Sequence, residues 1–267
     1  MKPKKILRNL GYIFSFLGSY ALFVFLSSKL PLPFNFISMG LTFVLFCFLA
    51  IFVMDMTLPF FNLINRVPVR LPPKQKGNIT LTFDDGPSPH TLEILDILDR
   101  YQVKAAFFCI GENIMKHPKI LLEIHQRGHS IGNHSFRHVL FPFLQTKTMR
   151  NEIQETSRMI QTITGEKEKW FRFPKGYQSR KGFRMAQSLN LMPIGFSYPI
   201  YDVENPPAQE LIDRTLKKVK EGDILLMHDG FPSYKPGSRS SLVEALPAIL
   251  EGIQKKNLRI VRLEEVF

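Results

Sequence analysis

From residue 79 onward, short runs rich in Ile, Leu and Phe alternate with longer amphipathic stretches, about seven times over. Strand-like runs fall at 79–83, 105–110, 130–132, 170–173, 194–198, 223–227 and 258–263. Between them, helical patterns fall at 91–101, 118–127, 147–164, 182–189, 208–220 and 242–255. Strands joined in sequence by helices pair in parallel, because the helix carries the chain back across the sheet. The spacing therefore predicts an α/β architecture, either a parallel barrel or a doubly wound sheet. In both, ligands collect at the carboxyl ends of the strands. The residues best suited to chemistry stand there: Asp84 and Asp85 after the first run, Arg172 at the end of the fourth, His228 after the sixth.

The first 78 residues are built differently. Runs 11–28 and 34–54 hold 18 and 21 residues without a charge, separated by little more than Lys29 and a Pro-Leu-Pro turn. The second meets the ~20 residues that a helix needs to cross a hydrocarbon core, and the first is borderline. Residues 1–61 are thus expected to form a membrane anchor of two transmembrane helices, a helical hairpin. Residues 62–78 follow as a basic, Pro-containing connector, and 79–267 as the catalytic domain. A cleaved signal peptide competes for the first run, since Lys2, Lys4, Lys5 and Arg8 form a basic leader. No small-x-small site followed by a polar start supports it. Basic residues before the first run and after the second favour a hairpin with both ends cytoplasmic. The expected location is a plasma or inner membrane, multi-pass, with the catalytic domain cytoplasmic, or outside if a single helix spans.

Net charge is +12, but 9 basic and 1 acidic residues in 1–78 supply +8 of it, leaving +4 for the rest. That excess suits anionic lipid, so the bilayer is an expected partner. No concentrated basic face is visible, which argues against nucleic acid. The two cysteines, Cys47 in an apolar run and Cys109 in a strand-like one, imply no disulfide framework. No protein partner can be inferred.

Thr82-Phe83-Asp84-Asp85-Gly86-Pro87 sets two adjacent carboxylates before a tight turn, which would aim both into a pocket. About fifty residues on, His134 and His138 stand four apart, so a helical turn would bring them to one face. With Asp85 they make a two-histidine, one-carboxylate set for a divalent metal. Zinc fits a hydrolytic site of this kind, although iron and other divalent ions use the same triad. Asp84 would act as general base on water. His228 could be a general acid, a structural histidine or a third ligand. Arg172 could orient Asp84 or lie at the surface. His90, His117, His125 and His129 are expected at the surface or in packing.

Taken together, residues 79–266 resemble the polysaccharide deacetylase family, the NodB homology domain or carbohydrate esterase family four. The first motif matches Thr82 to Pro87, the second His134-Ser135-Phe136-Arg137-His138, the third Arg172-Phe173-Pro174-Lys175-Gly176 and the fifth Leu226-Met227-His228-Asp229. At the fourth, where the family commonly has tryptophans and an acidic residue, this chain reads Tyr201-Asp202-Val203-Glu204. The resemblance implies a distorted (β/α) barrel of about seven parallel strands. It implies Asp84 as base, Asp85, His134 and His138 as metal ligands, and His228 as general acid. It further implies Leu226 in an acetyl pocket, an oxyanion contact from the backbone N–H of Lys175, and Tyr201 and Asp202 near substrate, with Asp202 tuning His228. Lys175 stands where the family usually has an aromatic residue. The implied reaction is hydrolysis of the N-acetyl group of an amino sugar in a glycan. Removal of acetyl or formyl from a lipid-linked polyprenyl-phosphate sugar is the alternative, and an inactive, membrane-tethered glycan-binding protein the second.

Overall fold

The computed structural model describes residues 40–48, 67–235 and 237–267. The chain divides into two compact units, Met1–Met54 and Asp55–Phe267. In the first, residues 40–48 are helical and expose Leu41, Phe43, Val44, Leu45 and Phe48. Among the described residues no helix is long and apolar enough to cross a membrane. The run 11–28, and all of 34–54 except 40–48, lie outside the described residues.

The second unit is a distorted (β/α) barrel. Its strands are β1 (Asn78–Asp84), β2 (Ala106–Cys109), β3 (Ser130–Asn133), β4 (Trp170–Phe171), β5 (Met192–Pro193), β6 (Tyr198–Pro199), β7 (Ile224–His228) and β8 (Arg259–Ile260). Every pairing is parallel, in the order β5-β4-β3-β2-β1-β7-β6, with β8 joining the start of β1. The helices are α1 (Pro89–Arg100), α2 (Gly111–Lys116), α3 (Pro118–Gln126), α4 (Thr146–Thr164), α5 (Arg180–Ser188), α6 (Ala208–Lys218) and α7 (Ser240–Lys255). Of the predicted strand 194–198 only Tyr198 is in a strand, as the start of β6; residues 194–197 are a break between the two-residue β5 and β6, which no ladder joins. The six-residue α2 has no sequence period long enough to reveal it.

Two-residue periodicity divides the barrel wall into two chemistries. Ile79, Leu81 and Phe83 of β1, Phe107 and Cys109 of β2, and Leu225 and Met227 of β7 share one core with Ile94, Leu98, Leu246 and Ile249 of the helices. The intervening residues of β2 and β7, Ala106, Phe108, Ile224 and Leu226, form a second, inner cluster with Trp170, Ile194 and Phe196. Thr80, Thr82 and Asp84 alternate with the outward set on β1 and therefore enter the interior. There the Thr80 and Thr82 hydroxyls donate to the carbonyls of Val261 (3.0 Å) and Leu225 (2.7 Å). Register places Asp84 beside Phe108 on one side and His228 on the other. Residues 67–78, predicted as a connector, lie against the barrel: Val67 and Leu71 are buried, and Arg70 pairs with Asp223 at 2.7 Å.

Candidate active site and metal centre

At the carboxyl end of β1 the chain turns sharply. Asp85 takes a left-handed backbone (φ 72°), and Gly86 follows against Asp229, where an added Cβ would lie 2.1 Å from the carboxylate. Gly230 reciprocates, since its Cβ would fall 2.2 Å from the Asp85 carbonyl. Only glycine allows these two loops to interlock, and the interlock aims Asp85 inward.

His134 and His138 meet Asp85 without the predicted helical turn. Residues 134–139 are loop, with Ser135 and His138 both at positive φ. The reason lies in the side chains that take up the loop's N–H groups. Asn133 Oδ1 accepts from Ser135, Ser135 Oγ from His138, and the buried Glu152 from both Phe136 and Arg137. These local bonds outcompete a helical ladder and bring the two imidazole centroids to 5.0 Å.

The trio fits a metal ion. Ligand atoms of Asp85, His134 and His138 all lie within 4.8 Å of one another. Asp85 Oδ1 stands 3.5 Å from His134 Nε2 and 3.3 Å from His138 Nε2, and is buried without a hydrogen-bond partner. A buried carboxylate oxygen left in that state is costly unless something positive meets it. His134 Nδ1 donates to the Arg172 carbonyl at 2.9 Å, which can only accept, so its Nε2 carries a lone pair. His138 Nδ1 lies 2.9 Å from the Tyr234 hydroxyl, which can donate or accept and so holds the ring in place without choosing its tautomer. Burial pulls His134 down to about 3 and His138 down to about 2, which favours the neutral imidazoles that ligation requires. Burial likewise pushes Asp85 up to about 6, against the pull of His228.

Asp84 is placed beside this trio and held from behind. Its Oδ2 lies 3.6 Å from His134 Nε2, while Oδ1 accepts from Arg172 Nη1 at 2.8 Å. Arg172 is fully buried, not at the surface. It also donates to Thr82 Oγ1 (2.6 Å) and to the carbonyls of Ile194 (3.2 Å) and Gly195 (2.7 Å), and its guanidinium stacks 4.0 Å above the Phe108 ring. Since Ile194 and Gly195 occupy the break between β5 and β6, this one side chain ties the break to β1, and the Gly195 N–H donates to the Pro68 carbonyl at 2.8 Å. Burial raises the Asp84 carboxyl above its ordinary value, with Arg172 opposing.

His228 reaches the same space from β7. The Asp202 carboxylate accepts from both its Nδ1–H and its backbone N–H, each at 2.8 Å. Burial works against the charge on His228, but Asp202 outweighs it and holds the imidazole above its ordinary pKa; Asp202 is held below its own by the same pair. His228 therefore forms a buried dyad with Asp202 and is not among the grouped metal-ligand atoms. Leu226 lies in the barrel interior. Lys175 is exposed with φ 57°, its ammonium 5.4 Å from the Tyr234 ring centroid. Tyr201 is 54% exposed and faces Arg214, whereas Asp202 of the same segment hydrogen-bonds His228.

Arg239 and Asn113 carried no signal at the level of sequence. Arg239, buried, donates to the Gly230 and Asp202 carbonyls, tying the two loops that present the dyad. Asn113 does the same for Asp85 and Phe231, at 2.7 and 2.8 Å. Asp229 accepts from Thr91 at 2.6 Å, and burial pushes it up to about 7. His129 is buried, accepting from the Ala105 N–H, and His90 pairs with Glu93 at the start of α1.

A distorted parallel barrel with this constellation at its carboxyl end defines a class of sugar-processing hydrolases, and the chain belongs to the polysaccharide deacetylase family. The family model matches residues 72–194. Over 204 residues the chain is 31% identical to a peptidoglycan-N-acetylglucosamine deacetylase of Bacillus cereus, covering 73% of this chain and 90% of the relative. It is 28% identical to a chitooligosaccharide deacetylase of Rhizobium leguminosarum bv. trifolii, covering 76% and 97%. Among solved structures, a peptidoglycan N-acetylglucosamine deacetylase in complex with an N-oxidanyl-benzamide superposes with a TM-score of 0.70 at 31% identity, covering 75% of this chain and 92% of that one.

Proposed function

We propose that the chain is a metal-dependent carbohydrate N-deacetylase, releasing acetate and a free amine from an N-acetylated amino sugar in a glycan. The observation that carries this reading is the orphaned Asp85 Oδ1 between two imidazole Nε2 atoms, with Asp84 one residue away and His228 in register on the next strand. Asp85, His134 and His138 would hold the metal, with zinc as the default for a hydrolytic site. The ion supplies Lewis acidity toward an amide carbonyl and toward water.

The remaining chemistry belongs to side chains. Asp84, kept in place by Arg172, accepts the proton of the attacking water. The Lys175 backbone N–H is assigned to the developing oxyanion and Leu226 to the acetyl methyl. His228, kept protonated by Asp202, gives its proton to the departing nitrogen. Tyr201 is assigned to the outer part of the substrate. The names of the relatives support an N-acetylglucosamine-containing glycan, while the two apolar N-terminal runs favour the lipid-linked sugar as a second substrate reading.

The test is acetate release from N-acetylated oligosaccharides by metal-reconstituted protein. Activity should vanish with a chelator, return with Zn²⁺, and persist above the ordinary histidine range before falling as pH rises through the raised pKa of His228. Reconstituted protein that releases no acetate from glycan or lipid-linked sugar would return the chain to an inactive, glycan-binding role.

We further place the barrel at the cytoplasmic face of the membrane, anchored by residues 1–61, from the distribution of basic residues. A cysteine at the exposed Ser233, in a Cys47→Ser background, reports this directly. Labelling by an impermeant thiol reagent only after cell disruption is expected, and directs the substrate search to lipid-linked precursors. Labelling of intact cells would refute the hairpin and point to finished glycan outside.

A further inference from the structure

The loop after His228 crosses the mouth of the site and is tied down at every step. Arg239 holds the Gly230 carbonyl, Asn113 the Phe231 carbonyl, and the Tyr234 hydroxyl meets His138. The remaining tie is a lysine: Lys116 Nζ donates to Ser233 Oγ at 2.8 Å. Lys175 lies over the Tyr234 ring, and Lys235 is the next residue along. Tyr234 is 59% exposed, and all three lysines are exposed too.

The charges around this group are unequal. Arg137, beside His138, is already spent on the buried Glu152 at 2.7 Å. Asp202 is committed to His228, and Asp84 to Arg172. Glu112 stands one turn before Lys116 on α2, yet the Lys116 ammonium turns to Ser233 instead. Lys175 faces an aromatic ring in place of a carboxylate. One cation thus lies over an exposed aromatic face and a second is bound to the residue before it, and that face is one hydrogen bond from a metal-site histidine. A sugar ring can lie on such a face, and an anion on that sugar would meet the ammonium groups.

Resting on the deacetylase reading, we propose that Lys175 and Lys116, framing Tyr234, select a substrate that carries an oxyanion, carboxylate or phosphate, about one sugar from the acetamide. Neutral homopolymers of N-acetylglucosamine are then the poorer ligands. Two sources of that oxyanion are compatible with the mouth: the lactyl carboxylate of a wall-type glycan and the diphosphate of a lipid-linked sugar.

The test measures binding, so that it stands apart from turnover. Full-length, Zn²⁺-loaded Asp84→Asn protein is titrated calorimetrically at low salt with three probes. These are chitotetraose, a peptide-free tetrasaccharide of alternating N-acetylglucosamine and N-acetylmuramic acid, and N-acetylglucosamine diphosphate bearing a short prenyl chain. At least one anionic probe should bind about tenfold tighter than chitotetraose, and the one that does identifies the source. The advantage should shrink as salt is raised. In Lys116→Gln/Lys175→Gln protein it should collapse toward unity, each exposed pair carrying up to about fivefold. Equal affinity for neutral and anionic probes, or a preference that survives the double substitution, overturns the proposal. Failure of wild-type protein to release acetate from any probe would instead overturn the deacetylase reading and leave the binding result standing.

Discussion

Replacing Asp84 by asparagine is expected to leave the metal bound and to lower acetate release at least ~100-fold, the scale of a positioned proton transfer. The geometry separates the two carboxylates by task. Asp85 sends Oδ1 between the two histidines, whereas Asp84 has one oxygen on Arg172 and the other facing the same space. Asparagine preserves the size of Asp84 and one acceptor oxygen but cannot take a proton. His134→Ala is the contrast, because it removes a ligand and should empty the site. Elemental analysis of both purified variants, beside their rates, distinguishes loss of the base from loss of the ion. An Asp84→Asn protein with near wild-type turnover would sink the assignment.

Arg172→Met is expected to cost stability on the order of 3–5 kcal/mol, as when one partner of a buried ion pair is removed. The substitution strands Asp84 in a site where burial already disfavours its charge. It also releases Thr82 Oγ1 and the carbonyls of Ile194 and Gly195 from the guanidinium. Urea denaturation should show a lower midpoint with an unchanged slope. Arg172→Lys should recover only part of the loss, since a single ammonium cannot reproduce the forked donors. A midpoint matching wild type would mean that the seam is held some other way.

Much of this arrangement was legible in the residues alone. The alternation of runs gave the α/β order because each strand is lined by an apolar outer face that any parallel barrel must bury. The Asp84-Asp85 pair, the two histidines and His228 were legible because carboxylates and imidazoles at strand ends are the residue types that hold a metal and move protons, and the structure brings them together. Asp202 could be named from its place in the fourth motif, and the structure joins it to His228 through two hydrogen bonds. What failed was geometry set by tertiary partners. The spacing of His134 and His138 suggested a helical turn, but Asn133, Ser135 and Glu152 redirect the backbone, and the last of these arrives from α4. Residues 194–197 have strand composition yet form the seam, where Arg172 takes the carbonyls of Ile194 and Gly195 and the Gly195 N–H goes to Pro68. Tyr234 and Arg239 act across gaps of 96 and 37 residues, distances over which local pattern carries no information.

The central position of β1 has a consequence for how the protein is made. The strand emerges early in synthesis, yet its neighbours β7 and β8 belong to the last quarter of the chain. Thr80 hydrogen-bonds a carbonyl 181 residues downstream. Contacts of such separation delay folding, because a long loop must close before they return any energy. The middle of the sheet is therefore begun first and completed last, and until β7 docks, one edge of β1 stays open. Asp84 and His228 face each other across that same pairing. The candidate site is thus assembled only in the step that closes the sheet, when most of the domain's sequence is already in place.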